Sequence, residues 1–268
     1  MYGVVIAFKD FRPSKGIWGS AWVGLKHFLR FLQFPGFETI FFNTLRISLY
    51  SIASFPCAIV LALMIHELDS HRFKQIVQTV TYAPHFISTV VMCAMIILFL
   101  GKSSGIVNAL IAAMGGERVD FMARSEYFAG IYVITDIWQH VGWGTIVYLA
   151  ALSGASPELR EAARIDGANR FQIVWHINLP CILPTIVIML IMRCGSILSV
   201  GFEKTYLLQN SLNLDASQVI STYVYELGLQ SAQYSYSTAI GLFNNSINVV
   251  CILIVNAICR RLSGIGLW

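Results

Sequence analysis

Five apolar stretches constrain this chain more than any other feature: about 41–65, 80–100, 127–152, 181–202 and 239–258. Crossing about 30 Å of hydrocarbon takes roughly 20 helical residues, so each stretch is long enough to span a bilayer. Composition agrees. Of 268 residues, 56% are hydrophobic and only 12% charged, with a mean hydropathy of +0.67. A soluble domain carries about 25% charged residues, and half that density leaves too few to cover a water-facing surface. The sequence therefore predicts an all-α, polytopic transmembrane helical bundle, one domain over 1–268 with five complete spans. Residues 1–8, MYGVVIAF, are apolar but too short to span, and they lack the basic segment of a signal peptide. They read as the last turns of a truncated first span.

The remaining counts mainly exclude. Cys57, Cys93, Cys181, Cys194, Cys251 and Cys259 lie in or beside apolar runs with no CxxC pair, so neither a disulfide framework nor a zinc site is supported. No metal or cofactor is expected. The net charge of +4 is spread along the chain, with no basic block suited to nucleic acid. Nor does charge set the topology. If residues 1–8 exit outward, inside segments hold seven Lys and Arg and outside segments nine, which shows no excess of inside positive charge. In the segment 9–40, Trp18, Trp22, Phe28, Phe31 and Phe34 form an aromatic set suited to a membrane interface.

The polar segment 153–180 carries its own helix signals. In SPELREAARIDGANRFQIVWHINLP (156–180), Ser156 suits an N-cap and Pro157 the first helical position. Glu158 and Glu161 sit where the helix dipole favours negative charge. Leu159, Ala162, Ala163 and Ile165 give a narrow apolar stripe, and Gly167 permits a turn. A second short helix from Ala168 to Ile177 is expected to stop at Pro180. The result is a helix–turn–helix outside the bilayer, with a small-residue face that another protein could approach closely.

This segment resembles the EAA signature of binding-protein-dependent ABC importer permeases: Glu-Ala-Ala, three residues, Gly, nine residues, then Ile-x-Leu-Pro. Glu161, Ala162, Ala163, Gly167, Ile177, Leu179 and Pro180 occupy every fixed position. FKDFRPSKGIWGSAWVGLKHF and WGTIVYLAALSGASPELREAARIDGA also resemble the polysaccharide-type branch of the maltose-like permeases, and the likeness covers essentially the whole chain. What the resemblance implies is an ABC type I importer permease fold in a bacterial plasma membrane, forming half of a pathway for a sugar or oligosaccharide. It implies a cytoplasmic ABC ATPase dimer, a second homologous permease, an extracytoplasmic solute-binding lipoprotein and surrounding lipid as partners. Glu161, Ala162, Ala163, Asp166, Gly167, Ile177, Leu179 and Pro180 would form the coupling loop. Such permeases usually have six spans, and the first is mostly missing here.

Other signals are weaker. No GxxxxGK[ST] loop occurs, consistent with ATP hydrolysis in a separate subunit and with no enzymatic role for this chain. GKSSG at 101–105 lacks the strand–turn–helix setting of a nucleophile elbow. His66 and His71 in HELDSH are five apart, whereas a zinc helix needs four. Charges within spans usually face protein or a water path. Asp136 and His140, four apart on the third span, with Trp138, Gln139 and Trp143, form either a pathway-lining strip or an interhelical lock. Asn245 and Asn248, beside Asn244, leave the same choice on the last span. The alternative class is an ion-coupled transporter using Asp136 or His140 as a proton site. A membrane enzyme ranks third.

Overall fold

The computed structural model describes residues 2–268; Met1, the start of the expected span remnant, lies outside them. The chain is helical almost throughout. Lys9–Asp10 pairs antiparallel with Ala21–Trp22 in a two-residue ribbon, and Tyr2–Phe8 forms a 3-10 helix.

Among the described residues, three helices are long and apolar enough to cross a membrane: Phe37–His66, Arg170–Cys194 and Tyr234–Ser263. At 1.5 Å per residue, the 30-residue Tyr234–Ser263 helix is about 45 Å long. His71–Phe86 and Thr89–Leu100 qualify only together, as one broken span or a re-entrant pair. The stretch expected as a single span over 80–100 is thus two helices separated at Ile87 and Ser88. The reason lies just upstream. Pro84 has no N–H to donate, and the chain tightens into a 3-10 turn at Ala83–Phe86 before breaking. Ser125–Leu152, with 28 residues, is long enough to span, but Asp136, Gln139 and His140 interrupt its apolar character.

The fourth span also differs from expectation. Pro180 does not stop a short helix. Helix runs without interruption from Arg170 to Cys194, passing through a π turn at Val174–Asn178. The wider turn sits directly before Pro180, whose ring would otherwise meet the carbonyl four residues back. The polar connection is therefore shorter than 153–180, and the span begins well before Cys181 but ends at Cys194 rather than near 202.

Contacts divide the chain into two compact units. The first comprises Met1–Tyr50, Thr89–Tyr132 and Gly195–Cys251. Its core gathers Phe31, Ile40, Leu198, Ile220, Tyr223, Tyr236 and Ile240. On Phe37–Ala53 the buried positions Ile40, Thr44, Ile47 and Ser48 trace one helical stripe. Polar side chains fasten the irregular backbone around them. Thr44 Oγ1 accepts from Ile220 N at 3.0 Å, and fully buried Asn108 donates to the carbonyls of Leu100, Gly101 and Val119. The aromatic set of segment 9–40 divides here: Trp18 and Trp22 are exposed, whereas Phe31 belongs to the core.

The second unit comprises Ser51–Ser88, Val133–Cys194 and Ile252–Trp268, around Ile59, Ala62, Leu63, Tyr148, Leu152 and Ile182. Lipid tails are as apolar as leucine, so close backbone approach rather than exclusion of water holds such helices together. Gly142 shows how close. A Cβ placed there would lie 2.0 Å from the Thr81 carbonyl oxygen. Gly130, on the same helix, has nothing within 4 Å. Gly142→Ala is expected to lower the unfolding temperature in detergent by several degrees, while Gly130→Ala leaves it unchanged or slightly higher, since alanine is the better helix former. Thermal unfolding of the two purified variants checks this.

Candidate functional site

The connection between Ser125–Leu152 and Arg170–Cys194 is an elbow built on the Pro157–Ile165 helix. Ser156 stands at the N-cap but makes no side-chain cap hydrogen bond, and Pro157 takes the first turn. The C-terminal end is more fully satisfied. Gly167 N donates to Arg164 O at 3.1 Å and Ala168 N to Ala163 O at 2.9 Å, the paired bonds of a Schellman motif. Gly167 adopts φ +81°, where a β-carbon costs about 1–2 kcal/mol. Immediately afterwards, Asn169 and Gln172 form a reciprocal capping box that starts the Arg170 helix.

None of the nine residues of Pro157–Ile165 is buried. Leu159 is 60% exposed and Ile165 86%; Glu161, Ala162, Asp166 and Gly167 are exposed and Ala163 half-buried. The motif's far end, Ile177, Leu179 and Pro180, lies in the π turn and the start of the following helix. Ala163, Asp166, Gly167, His176 and Ile177 line a shallow hollow of about 340 Å³ behind the elbow.

Charge, not apolar packing, holds this helix. Arg160 Nη2 donates to Glu67 Oε1 at 2.6 Å and Arg160 Nη1 to His66 Nε2 at 2.8 Å. Arginine has no acceptor, so His66 presents a bare ring nitrogen there. Asn178 Nδ2 donates to the same Glu67 oxygen at 2.8 Å. Arg170 donates to the Asp69 carboxylate at 2.6 Å and to the Glu67 carbonyl at 3.2 Å. Sequence reasoning set HELDSH aside as a failed metal helix and missed this cluster. The available signal was the pairing of two acids, Glu67 and Asp69, with the two arginines flanking the EAA motif.

The third span's polar residues separate into two groups. Gln139 is 3% exposed and donates to the Ile87 carbonyl at 2.9 Å, satisfying a backbone group freed by the helix break. In hydrocarbon such a group has no water to turn to. Asp136 and His140 instead approach one another at 3.4 Å and are partly exposed. His85 stacks on Trp143 with centroids 4.4 Å apart and planes 6° from parallel. His140 and Phe86 approach the same pair edge-on. Trp143 and Trp138 are 44% and 48% exposed. The sequence did not single out His85 and Phe86; Pro84 beside them was the hint. On the last helix Asn245 is exposed, while Asn248 is 8% exposed, accepts from Leu198 N and donates to Ser199 Oγ, each at 3.0 Å.

A family model described as binding-protein-dependent transport system inner membrane component matches residues 54–264. The chain belongs to this family. The permease is similar to the polygalacturonan/rhamnogalacturonan transport system permease protein YteP of Bacillus subtilis (strain 168), at 41% identity over 100% of this chain and 84% of that one. It is also 41% identical to Protein LplB of the same organism, over 100% and 85%. Among solved structures it matches a bacterial alginate ABC transporter crystallised with an alginate pentasaccharide-bound periplasmic protein. That match has TM-score 0.90 and 41% identity, covering 99% of this chain and 88% of that one. The permease is therefore a multi-pass inner-membrane component of an ABC importer, whose ATPase is a separate subunit. Membership decides against the ion-coupled alternative.

Gln139→Leu in the permease leaves the Ile87 carbonyl without its donor. A loss of about 1–3 kcal/mol is expected for an orphaned buried acceptor, read as a lowered midpoint in thermal or denaturant unfolding of the detergent-solubilised protein.

Proposed function

We propose that this permease imports an oligosaccharide, forms half of the pathway beside a second, related permease, and takes its power through the elbow from a cytoplasmic ATPase dimer. An extracytoplasmic solute-binding lipoprotein delivers the cargo, lipid surrounds the spans, and the chain itself catalyses nothing. The whole chain acts as one permease domain. The observation that carries this reading is a helix with no buried residue, Pro157–Ile165, bearing the Glu-Ala-Ala of the EAA motif and anchored at one side by charge. Leu159 and Ile165 exposed to water cost free energy that a partner's groove would recover. Ala162 and Ala163 let that partner come close, and Glu161 offers it a charge.

The cargo class follows the relatives, which are named for polygalacturonan, rhamnogalacturonan and alginate. Within the second unit, Trp143, His85, Phe86 and His140 supply aromatic faces, and Asp136 and Trp138 supply hydrogen-bonding groups; in the first, Asn245 on the last helix supplies an amide of its own. Sugar rings present apolar C–H faces edged by hydroxyls, which suits such a surface. Gln139 and Asn248 serve the same pathway indirectly, by holding its backbone. Alternating access then follows from two biases on one packing equilibrium, cargo at one face and ATP at the other.

Glu161→Lys and Gly167→Pro test the coupling. Proline cannot reach φ +81°, so the second variant dismantles the turn. Both are expected to insert normally yet lose cargo-stimulated ATP hydrolysis in the reconstituted transporter; normal stimulation in both contradicts the reading. Trp143→Ala is expected to raise the half-saturating concentration for oligosaccharide uptake several-fold, because stacking on an aromatic face contributes about 1 kcal/mol, while Trp18→Ala leaves it unchanged. Uptake kinetics in proteoliposomes check both.

A further inference from the structure

The elbow is bounded by two glycine-bearing turns. Gly167 closes its far end at φ +81°, and Gly154 lies in the turn that leads into it. With no side chain of the Pro157–Ile165 helix fully buried, packing restrains it only weakly against pivoting between them. A force applied to such a helix would be absorbed by the two turns. Something must make it rigid against the spans, and the structure offers one carboxylate.

Glu67 sits directly after the Phe37–His66 helix, with its side chain 12% exposed against 21% for Arg160. Its Oε1 accepts from Arg160 of the elbow at 2.6 Å and from Asn178 of the next span's π turn at 2.8 Å. Three elements therefore meet at one oxygen: the end of one membrane helix, the elbow, and the start of another. Asn178 is itself fully buried. The neighbouring Arg170–Asp69 pair differs in kind. Its side chains are 64% and 70% exposed, and exposed pairs contribute little. Desolvated, hydrogen-bonded pairs are costly to break, because the partner is left charged without compensation. Among the described residues, Glu67 is the carboxylate paired with Arg160.

We propose that Glu67 is the positioning residue that makes the elbow move as one body with the Phe37–His66 and Arg170–Cys194 helices, so that a push on the elbow becomes motion of those spans rather than rotation about Gly154 and Gly167. This rests on the reading that the elbow receives the ATPase. Glu67 touches neither nucleotide nor cargo; it acts through Arg160 and Asn178. A residue of purely structural importance would change how much transporter assembles. A transmission residue changes transport per ATP hydrolysed.

The test uses the complete transporter in proteoliposomes. Glu67→Gln keeps the shape but removes the charge. ATPase subunits are expected to remain bound and basal hydrolysis to stay near wild type, while transport per ATP falls about tenfold, the scale of a typical coupling between sites. Exchanging the charges, Glu67→Arg with Arg160→Glu, is expected to recover coupling above either single variant. Arg160→Met keeps an apolar stem and leaves Glu67 bonded to Asn178, so it carries the test if Glu67→Gln does not assemble. Spin labels at the exposed positions Ile165 and Phe73 add a direct reading: a narrow distance distribution in the parent, a broad one in either variant. Wild-type transport per ATP in a variant that retains its ATPase subunits, or an unchanged distance distribution, overturns the proposal. If Glu161→Lys and Gly167→Pro both leave stimulation intact, the docking reading fails separately, and the label distances still decide whether Glu67 stiffens the elbow.

Discussion

A nine-residue helix in water, with every side chain outside the core, has no intrinsic reason to stay where it is. Isolated helices of that length are marginal, and Pro157–Ile165 has neither a working N-cap bond nor an apolar face against its own protein. What fixes it is the contact of Arg160 with Glu67, at 2.6 Å and largely screened from solvent. The remaining features of the site follow from that choice. Because the helix is tethered by charge at one side, its small-residue and apolar side is left open. Because it ends in glycine, its direction can be set independently of the span that follows.

The rest of the fold shows the same economy with polar groups. Breaks and wide turns free backbone carbonyls and amides that lipid cannot satisfy. Gln139 answers the Ile87 carbonyl, Asn248 answers Leu198 N, and Asn108 answers three carbonyls in the 100–119 segment. Buried side-chain amides of this kind are what satisfies the irregular backbone of this fold. The groups proposed above to meet cargo, His140, Trp138 and Trp143, are exposed instead.

The elbow was largely legible in the sequence because its determinants are local. Proline at a helix start, glycine in a left-handed turn and a fixed motif spacing act within a few residues. The spans were legible as apolar lengths, but their interruptions were not. Pro180 read as a stop, whereas the chain widens into a π turn and carries on; Pro84 passed unremarked, whereas the chain breaks beside it. Periodicity does not reveal which remedy a helix adopts, since that depends on whether a distant side chain such as Gln139 can reach the freed group. The Glu67 junction was illegible for a similar reason. Its partners lie 93 and 111 positions away in sequence, and HELDSH invited comparison with a metal helix rather than with arginines in a later loop. The aromatic set before the first span was half legible: spacing alone did not separate the exposed Trp18 and Trp22 from Phe31.

The central claim is that the open side of the elbow faces the cytoplasm and is gripped there by an ATPase. Its most direct test is the accessibility of a single cysteine at Ala162, in a background where Cys57, Cys181 and the other native cysteines are replaced. The account predicts labelling by a membrane-impermeant maleimide in inverted vesicles stripped of ATPase subunits, with protection when those subunits are added back. Labelling from the opposite face, or equal labelling with and without the ATPase, would contradict it.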